Sequence, residues 1–178
     1  MSHINKSAKK KRTTADIVIT TITVIAILIG IGLLLYPTVS DWWNQRHMSH
    51  AIAGYTEAVE GMSAEDYARY RDAAQEYNEY LQTCVGRFTP SEDESEWYRS
   101  LLNVTSDGIM AYIKIPKIDI NLPIYHSVDS AVLQVAIGHL EGSSLPVGGE
   151  GVHTVLSGHR GLTSAKLFTH LDELEIGD

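Results

Sequence analysis

The hydrophobic pattern loses its polar positions completely in only one place, from Ile17 to Leu35 (IVITTITVIAILIGIGLLL). At about 1.5 Å per residue, a helix of this length spans the hydrocarbon thickness of a bilayer. Thr20, Thr21 and Thr23 do not forbid insertion, because their hydroxyls can return to the helix backbone. The run is longer than the core of a usual signal peptide. No small-x-small cleavage site follows it in Tyr36-Pro37-Thr38-Val39-Ser40. The pattern therefore predicts an uncleaved transmembrane anchor over 17–36. Tyr36, Trp42 and Trp43 suit its outer interface, where amphipathic rings settle.

From Ser40 to Leu81 the apolar positions recur with helical spacing. Met48, Ile52, Tyr55 and Val59 make one stripe; Tyr67, Tyr70, Ala74, Tyr77 and Leu81 make another. Gly61 between them can end a helix, and Ser63 with Asp66 resembles a capping box. The prediction is a helical pair over 37–83 in antiparallel contact. The tyrosine stripe is a packing face, not a cofactor site. The next segment, 84–104, changes character. Gly86, Pro90 and Ser91 break the helix, and Glu92, Asp93, Glu94 and Glu96 crowd together as a solvated, mobile stretch. Phe88 and Trp97 are stranded in it. They either dock in a groove elsewhere or pack on the helical pair, and the sequence slightly favours the second.

Period-two alternation takes over after Asp107-Gly108. Ile109, Ala111, Ile113 and Ile115 share one face of a strand over 109–115. A second strand is expected over 118–124, with Pro123 pointing to an edge or strand end. Residues 129–137 (DSAVLQVAI) read as a short helix capped by Asp129 or Ser130. A third strand is expected over 152–158, where Val152, Thr154 and Leu156 alternate with His153, Val155 and Ser157. It ends at Gly158 and presents His159 on a loop rim, a position suited to proton transfer near neutral pH. Three strands leave unpaired edges and a thin core. Gly177-Asp178 reads as the turn before another strand, so the sequence is expected to be cut short within its domain.

Charge sharpens the picture. The 178-residue chain carries a net charge of −8, yet Lys6, Lys9, Lys10, Lys11 and Arg12 crowd its start. That basic block places a tail over 1–16 in the cytoplasm and everything after the anchor outside, a single-pass arrangement in the cell membrane. The remainder is too acidic for a nucleic-acid partner. The single cysteine, Cys84, allows no intramolecular disulfide. A metal hydrolase built on His139, His153 and His159 has little support, since no ligand pair stands at metal spacing. No metal or other cofactor is expected.

Three stretches, GIMAYIKIPKIDINLPIYH (Gly108–His126), AIGHLEGSSLPVGG (Ala136–Gly149) and HTVLSGHRGLTSAKLFTHLDELEIGD (His153–Asp178), resemble the sortases in order and content. Sortases are the membrane-anchored cysteine transpeptidases of Gram-positive surfaces. The similarity is to class C, the pilin-polymerising type. It implies a mainly β fold: a sortase-like β-barrel over 105–178, incomplete in this chain, after an anchor and an extracellular helical pair. It also implies the chemistry. A thiolate attacks the Thr–Gly bond of an LPXTG-like sorting signal on a pilin or surface protein, and an amine resolves the acyl-enzyme during pilus assembly or cell-wall attachment.

By motif, the resemblance implies that His159 is the catalytic histidine, an imidazolium beside a thiolate that delivers a proton to the leaving amine. His126 and His139 match family positions that are structural, His153 is read as packing or as support for the site, and Arg160 is not the family's catalytic arginine. The nucleophile belongs to a TLxTC-like strand end that does not occur here; Cys84 lacks its flanks, so the chain as given is expected to be inactive. The family's lid carries Asp-Pro-aromatic, whereas this chain has Gly86-Arg87-Phe88 near that place. Either the lid is looser, with Phe88 as its docking aromatic, or Asp93 and Trp97 serve from a shifted register. A rival reading is a non-catalytic membrane-anchored binding or scaffold module.

Overall fold

Helix α1 (Thr14–Glu60) opens the computed structural model, which describes residues 13–178. The basic residues Lys6, Lys9, Lys10, Lys11 and Arg12 lie outside the described residues. Helical geometry continues through Pro37, although proline removes one backbone donor there. At this point the chain divides into two compact units, one ending at Pro37 and the other Thr38–Asp178.

The described part of the first unit belongs to α1. Its most apolar window has a mean hydropathy of 2.8 and is not covered by any of the other described residues. Ile22, Leu28 and Leu33 are all more than half exposed. A helix apolar on every side, with none of the described residues packed against it, is suited to lipid. Thr20, Thr21 and Thr23 each donate a hydroxyl to the carbonyl four residues back, at 2.7, 2.9 and 2.9 Å, which removes their polarity from the surroundings.

The second unit begins with the rest of α1. After Gly61 and the N-cap Ser63, whose hydroxyl accepts from the Asp66 N–H at 3.0 Å, helix α2 (Ala64–Thr83) follows. The two stripes read from the sequence face one core. Met48 from α1 joins Ala74, Tyr77 and Leu81 from α2 in it, while Tyr67 at the end of the stripe stays exposed.

The acidic stretch is not an open segment. Residues Glu92–Ser100 form helix α3, with Glu92, Asp93 and Glu94 in its first turn. Carboxylates are favoured there by the partial positive charge of a helix N-terminus. Ser91 and Glu94 form a complete capping box. The Ser-x-x-Glu spacing was the signal, masked by the density of charge around it. The helix delivers Tyr98, fully buried, into the core.

Strands β1 (Ile109–Ile115) and β2 (Ile120–Tyr125) pair antiparallel through a 3-10 turn, Pro116–Ile118, with Asp119 left-handed at φ 53°. A short helix α4 (Ser130–Leu133) leads to β3 (Ile137–His139), which runs parallel to β2, and then β4 (Leu156–Ser157) pairs antiparallel with β3. The sheet order is β1-β2-β3-β4.

The fold class, the helix over 129–137, the strand over 152–158 and the place of Pro123 need correction. The chain is not mainly β: its three longer helices have 47, 20 and 9 residues, against strands of 7, 6, 3 and 2. The sheet formed by the described residues is mixed and open, in keeping with an incomplete barrel. The helix expected over 129–137 stops at Leu133, because Ile137–His139 is drawn into the sheet. Gly138 makes that possible: a Cβ there would come within 2.2 Å of the Ser127 carbonyl. The strand expected over 152–158 is regular only at Leu156–Ser157, since the Val155 N–H goes to the Ser143 hydroxyl instead of a neighbouring strand. Pro123 lies inside β2, not at an edge. It is tolerated because β3 pairs with β2 only from Ile124 onward.

Because α3 rests on its capping box, Ser91→Ala should lower unfolding stability by about 1 kcal/mol in urea titrations of the chain in detergent, with an unchanged m-value.

Candidate active site

His159 stands just past β4, and the backbone places it. At Gly158 a Cβ would come within 2.4 Å of Ile137 Cδ1 and 2.8 Å of Phe168 Cδ2, so only glycine lets the chain lie this close to the core. Beyond His159 the chain doubles back. The Phe168 N–H donates to the His159 carbonyl at 3.1 Å, Arg160 and Leu167 form an antiparallel bridge, and the Gly161 N–H donates to the Thr169 hydroxyl at 3.0 Å. Ala165, Leu167 and Phe168 are buried beneath this loop, while the His159 ring is exposed. Among the described residues no side-chain hydrogen bond restrains that ring. An exposed, unrestrained imidazole on a backbone-fixed loop is free to meet a reacting group.

The loop is also gripped from outside the sheet. On α1, the Asn44 amide donates to the Ser164 carbonyl at 2.9 Å, and an Asp41 carboxylate oxygen accepts from the Lys166 N–H at 3.0 Å. Asp41 and Asn44 stand three and four residues ahead of Asn44 and Met48, in step with Met48, Ile52 and Tyr55. Polar residues continuing an apolar stripe were the available signal, and sequence reasoning missed them.

Behind β4 lies a buried polar cluster centred on His139. Its Nε2 faces the Ser144 carbonyl at 2.9 Å; a carbonyl only accepts, so Nε2 carries the hydrogen. Nδ1 is then the acceptor for the Tyr98 hydroxyl at 2.8 Å. Ser143 donates to the Leu140 carbonyl at 2.7 Å and accepts from the Val155 N–H at 3.2 Å. The ring is neutral and fully satisfied. Burial depresses the His139 pKa, the Ser144 carbonyl pulls it part of the way back, and His126 lowers it further. Burial also raises the Tyr98 phenol, with Glu141 and Tyr77 adding to it. His126 is buried as well, with ring nitrogens facing the carbonyls of Gly108 at 3.0 Å and Leu101 at 2.5 Å. Both histidines hold structure. His153, expected to pack or to support the site, is exposed. Arg160 pairs with Asp172 at 2.8 Å on the surface.

The remaining candidates lie on the segment after α2. Cys84 caps α2, half-buried, with its Sγ 3.4 Å from the Tyr80 hydroxyl. Tyr80 in turn donates to Glu94, whose carboxyl is held down at about 2 by that hydroxyl first and by Ser91 second. Among the described residues no hydrogen bond joins Cys84 to His159. Arg87 and Phe88 press on Gly142 in the loop between β3 and β4: a Cβ on Gly142 would lie 2.2 Å from the Arg87 carbonyl and 2.9 Å from Phe88 Cδ1. Phe88 remains 55% exposed, with the Arg87 guanidinium 4.9 Å from its ring centre. Trp97 stacks edge-on against Tyr77 and Tyr80 at 5.1 and 5.4 Å. Asp93 is exposed in the first turn of α3.

A mixed sheet with a histidine just past its last strand, preceded by two long helices and a capped short one, is an arrangement of the sortase kind. Comparisons with known proteins agree. The profile of the sortase domain matches residues 113–178. Sortase C1 from Streptococcus agalactiae is 46% identical, covering 72% of this chain and 67% of its own, with a TM-score of 0.69. Sortase C-1 from Actinomyces oris is 39% identical, covering 64% and 65%, with a TM-score of 0.56. A Streptococcus pneumoniae sortase C is 38% identical, covering 72% and 65%, with a TM-score of 0.60. The chain belongs to the sortase family, and these solved structures are class C sortases. It spans about two thirds of their length. A comparison with curated proteins finds no match.

The buried neutral His139 makes stability pH-dependent. In the unfolded chain the imidazole titrates near 6.5, and in the folded chain its pKa is lower. Between those values the unfolded state binds more protons, so stability falls as pH drops below 6.5 and is fully present above it. The melting temperature should fall from about pH 7.5 to about pH 5, and His139→Gln should melt lower at neutral pH but show a flatter slope over this range.

Proposed function

We propose that this protein works as a pilin-type cysteine transpeptidase, in which His159 delivers a proton to the amine leaving an LPXTG-like sorting signal. The observation that carries the reading is the fixed loop that presents an exposed imidazole just past β4, inside the residues matched by the sortase-domain profile. The Streptococcus pneumoniae relative is described in terms of catalysis and pilin substrate specificity, which supports a pilin or surface protein as substrate.

Cys84 is not the nucleophile in this reading. It caps a helix and hydrogen-bonds Tyr80, and among the described residues no histidine hydrogen-bonds its thiol. In the sortases that the chain resembles, the histidine serves a thiolate at a TLxTC-like strand end, a motif that does not occur in the given sequence. Scission leaves a thioester on that thiolate and a free amine, with the proton coming from the imidazolium; the incoming amine then takes the acyl group and returns the proton. The apolar helix of the first unit anchors the protein, with the basic start of the chain in the cytoplasm and the sheet outside, where surface proteins are joined. Phe88 is the docking aromatic of the lid: it is exposed, and its loop already lies across Gly142.

Cleavage of an LPXTG peptide by the whole gene product in membranes tests this. His159→Ala should lower cleavage by about a hundredfold or more, the usual worth of a positioned general acid, while Cys84→Ala leaves it within about twofold. Cleavage that survives His159→Ala, or is lost with Cys84→Ala, sinks the assignment; no cleavage by the unmutated protein favours the scaffold reading. Phe88→Ala should raise peptide hydrolysis by releasing the lid; an unchanged rate would show that Phe88 does not cover the groove.

A further inference from the structure

We propose that Asp41 and Asn44 are positioning residues for His159, acting as a clamp from α1 on the loop that follows it. This rests on the catalytic reading of His159 but is tested separately. Residues 159–168 form a loop whose two ends are tied by the Phe168 N–H to the His159 carbonyl, at 3.1 Å, and by the Arg160–Leu167 bridge. The far part of the loop, Ser164 to Lys166, has no strand or helix partner. Backbone groups there must still be satisfied, because Ala165 between them is buried. The two α1 side chains do this. Asn44 donates to the carbonyl of Ser164 at 2.9 Å, and Asp41 accepts from the N–H of Lys166 at 3.0 Å, so the two bonds bracket Ala165.

The clamp is itself rigid. The Asp41 side chain is only 15% exposed, and its second oxygen accepts from the Gln45 amide at 3.0 Å, with the Lys166 ammonium 4.0 Å away. Both residues lie on a helix face whose next members, Met48 and Ile52, are buried, so α1 cannot roll without uncovering the core. Just past the clamp, Leu167 is buried with a φ of +35°, a left-handed backbone that a leucine does not adopt unless its surroundings impose it. Leu167 and Phe168 are the residues that meet Arg160 and His159. The grip on Ser164 and Lys166 thus fixes the register in which the returning chain meets His159. A histidine whose own ring is unrestrained depends on that backbone register for its aim.

The test uses the full chain in nanodiscs, with amide exchange and imidazole resonances read by NMR. Asp41→Ala combined with Asn44→Ala should speed amide exchange at Lys166 and Phe168 by about tenfold or more and shift the His159 ring signals, while Ile124 and Ile137 stay protected. Asp41→Asn, which keeps an acceptor oxygen, should return Lys166 exchange to the wild-type rate. In the whole gene product the double variant should lower kcat for the sorting peptide with KM within about twofold. Unchanged exchange at Lys166 and Phe168 overturns the clamp. So does a uniform rise that includes Ile124 and Ile137, because the pair would then act on the whole fold; the single variants are read the same way where the double variant does not fold. If the loop loosens as expected but His159→Ala leaves cleavage intact, the clamp stands and the catalytic reading fails.

Discussion

A neutral imidazole sealed in the interior is the constraint on which the second unit is built. His139 ends β3 with both ring nitrogens occupied, one by the Tyr98 hydroxyl and one by the Ser144 carbonyl. A buried polar ring left unpaired costs about 1–3 kcal/mol, so each partner is held where the ring requires it. Tyr98 must come down from α3, which explains why a run of acidic residues is folded into a capped helix instead of left in solvent. Ser143 and Ser144 must turn back under β3. Ser143 then takes the Val155 N–H, and the approach to β4 is set.

From there the constraint reaches His159 through close contact, not through polar bonds. Ile137 opens β3 two residues before His139, and its Cδ1 fills the space where Gly158 has no side chain. Phe168 closes the same space from the other side. The histidine is therefore fixed by the absence of a methyl group before it and by the chain that returns beside it. Asn78 adds a further tie: its amide donates to the Leu145 carbonyl at 3.1 Å and accepts the Leu145 N–H at 2.7 Å, joining α2 to the same turn. Three helices thus converge on one loop system, through Asp41 and Asn44 of α1, Asn78 of α2 and Tyr98 of α3.

These four contacts share a feature. Each is a polar side chain on a helix face that is otherwise apolar, reaching a backbone group or ring far along the chain. Polar exceptions on a buried stripe are visible in a sequence, but their partners are not. Asn78 flanks Tyr77 in the tyrosine stripe and reads as a tolerated irregularity until Leu145 is found against it. The segment after α2 shows the opposite error. Ser91 and Glu94 are local partners three residues apart, and local partners are readable; the surrounding charge obscured them.

What the sequence determined by itself was whatever rests on short-range periodicity and composition. That covers the apolar segment from Ile17 to Leu35, the stripes facing the core from α1 and α2, the cap at Ser63, the β1–β2 alternation and the histidine loop with its family stretch. These features follow from side-chain spacing along one element, and spacing survives without knowledge of neighbours. Only the tertiary structure decided the rest. It shortened the strand before His159, because Val155 gave its N–H to a serine. It turned Ile137–His139 into a strand, because Gly138 could approach Ser127 where no larger residue fits. It set α1 against the loop after His159, because the backbone groups flanking a buried alanine needed partners that no neighbouring residue supplied.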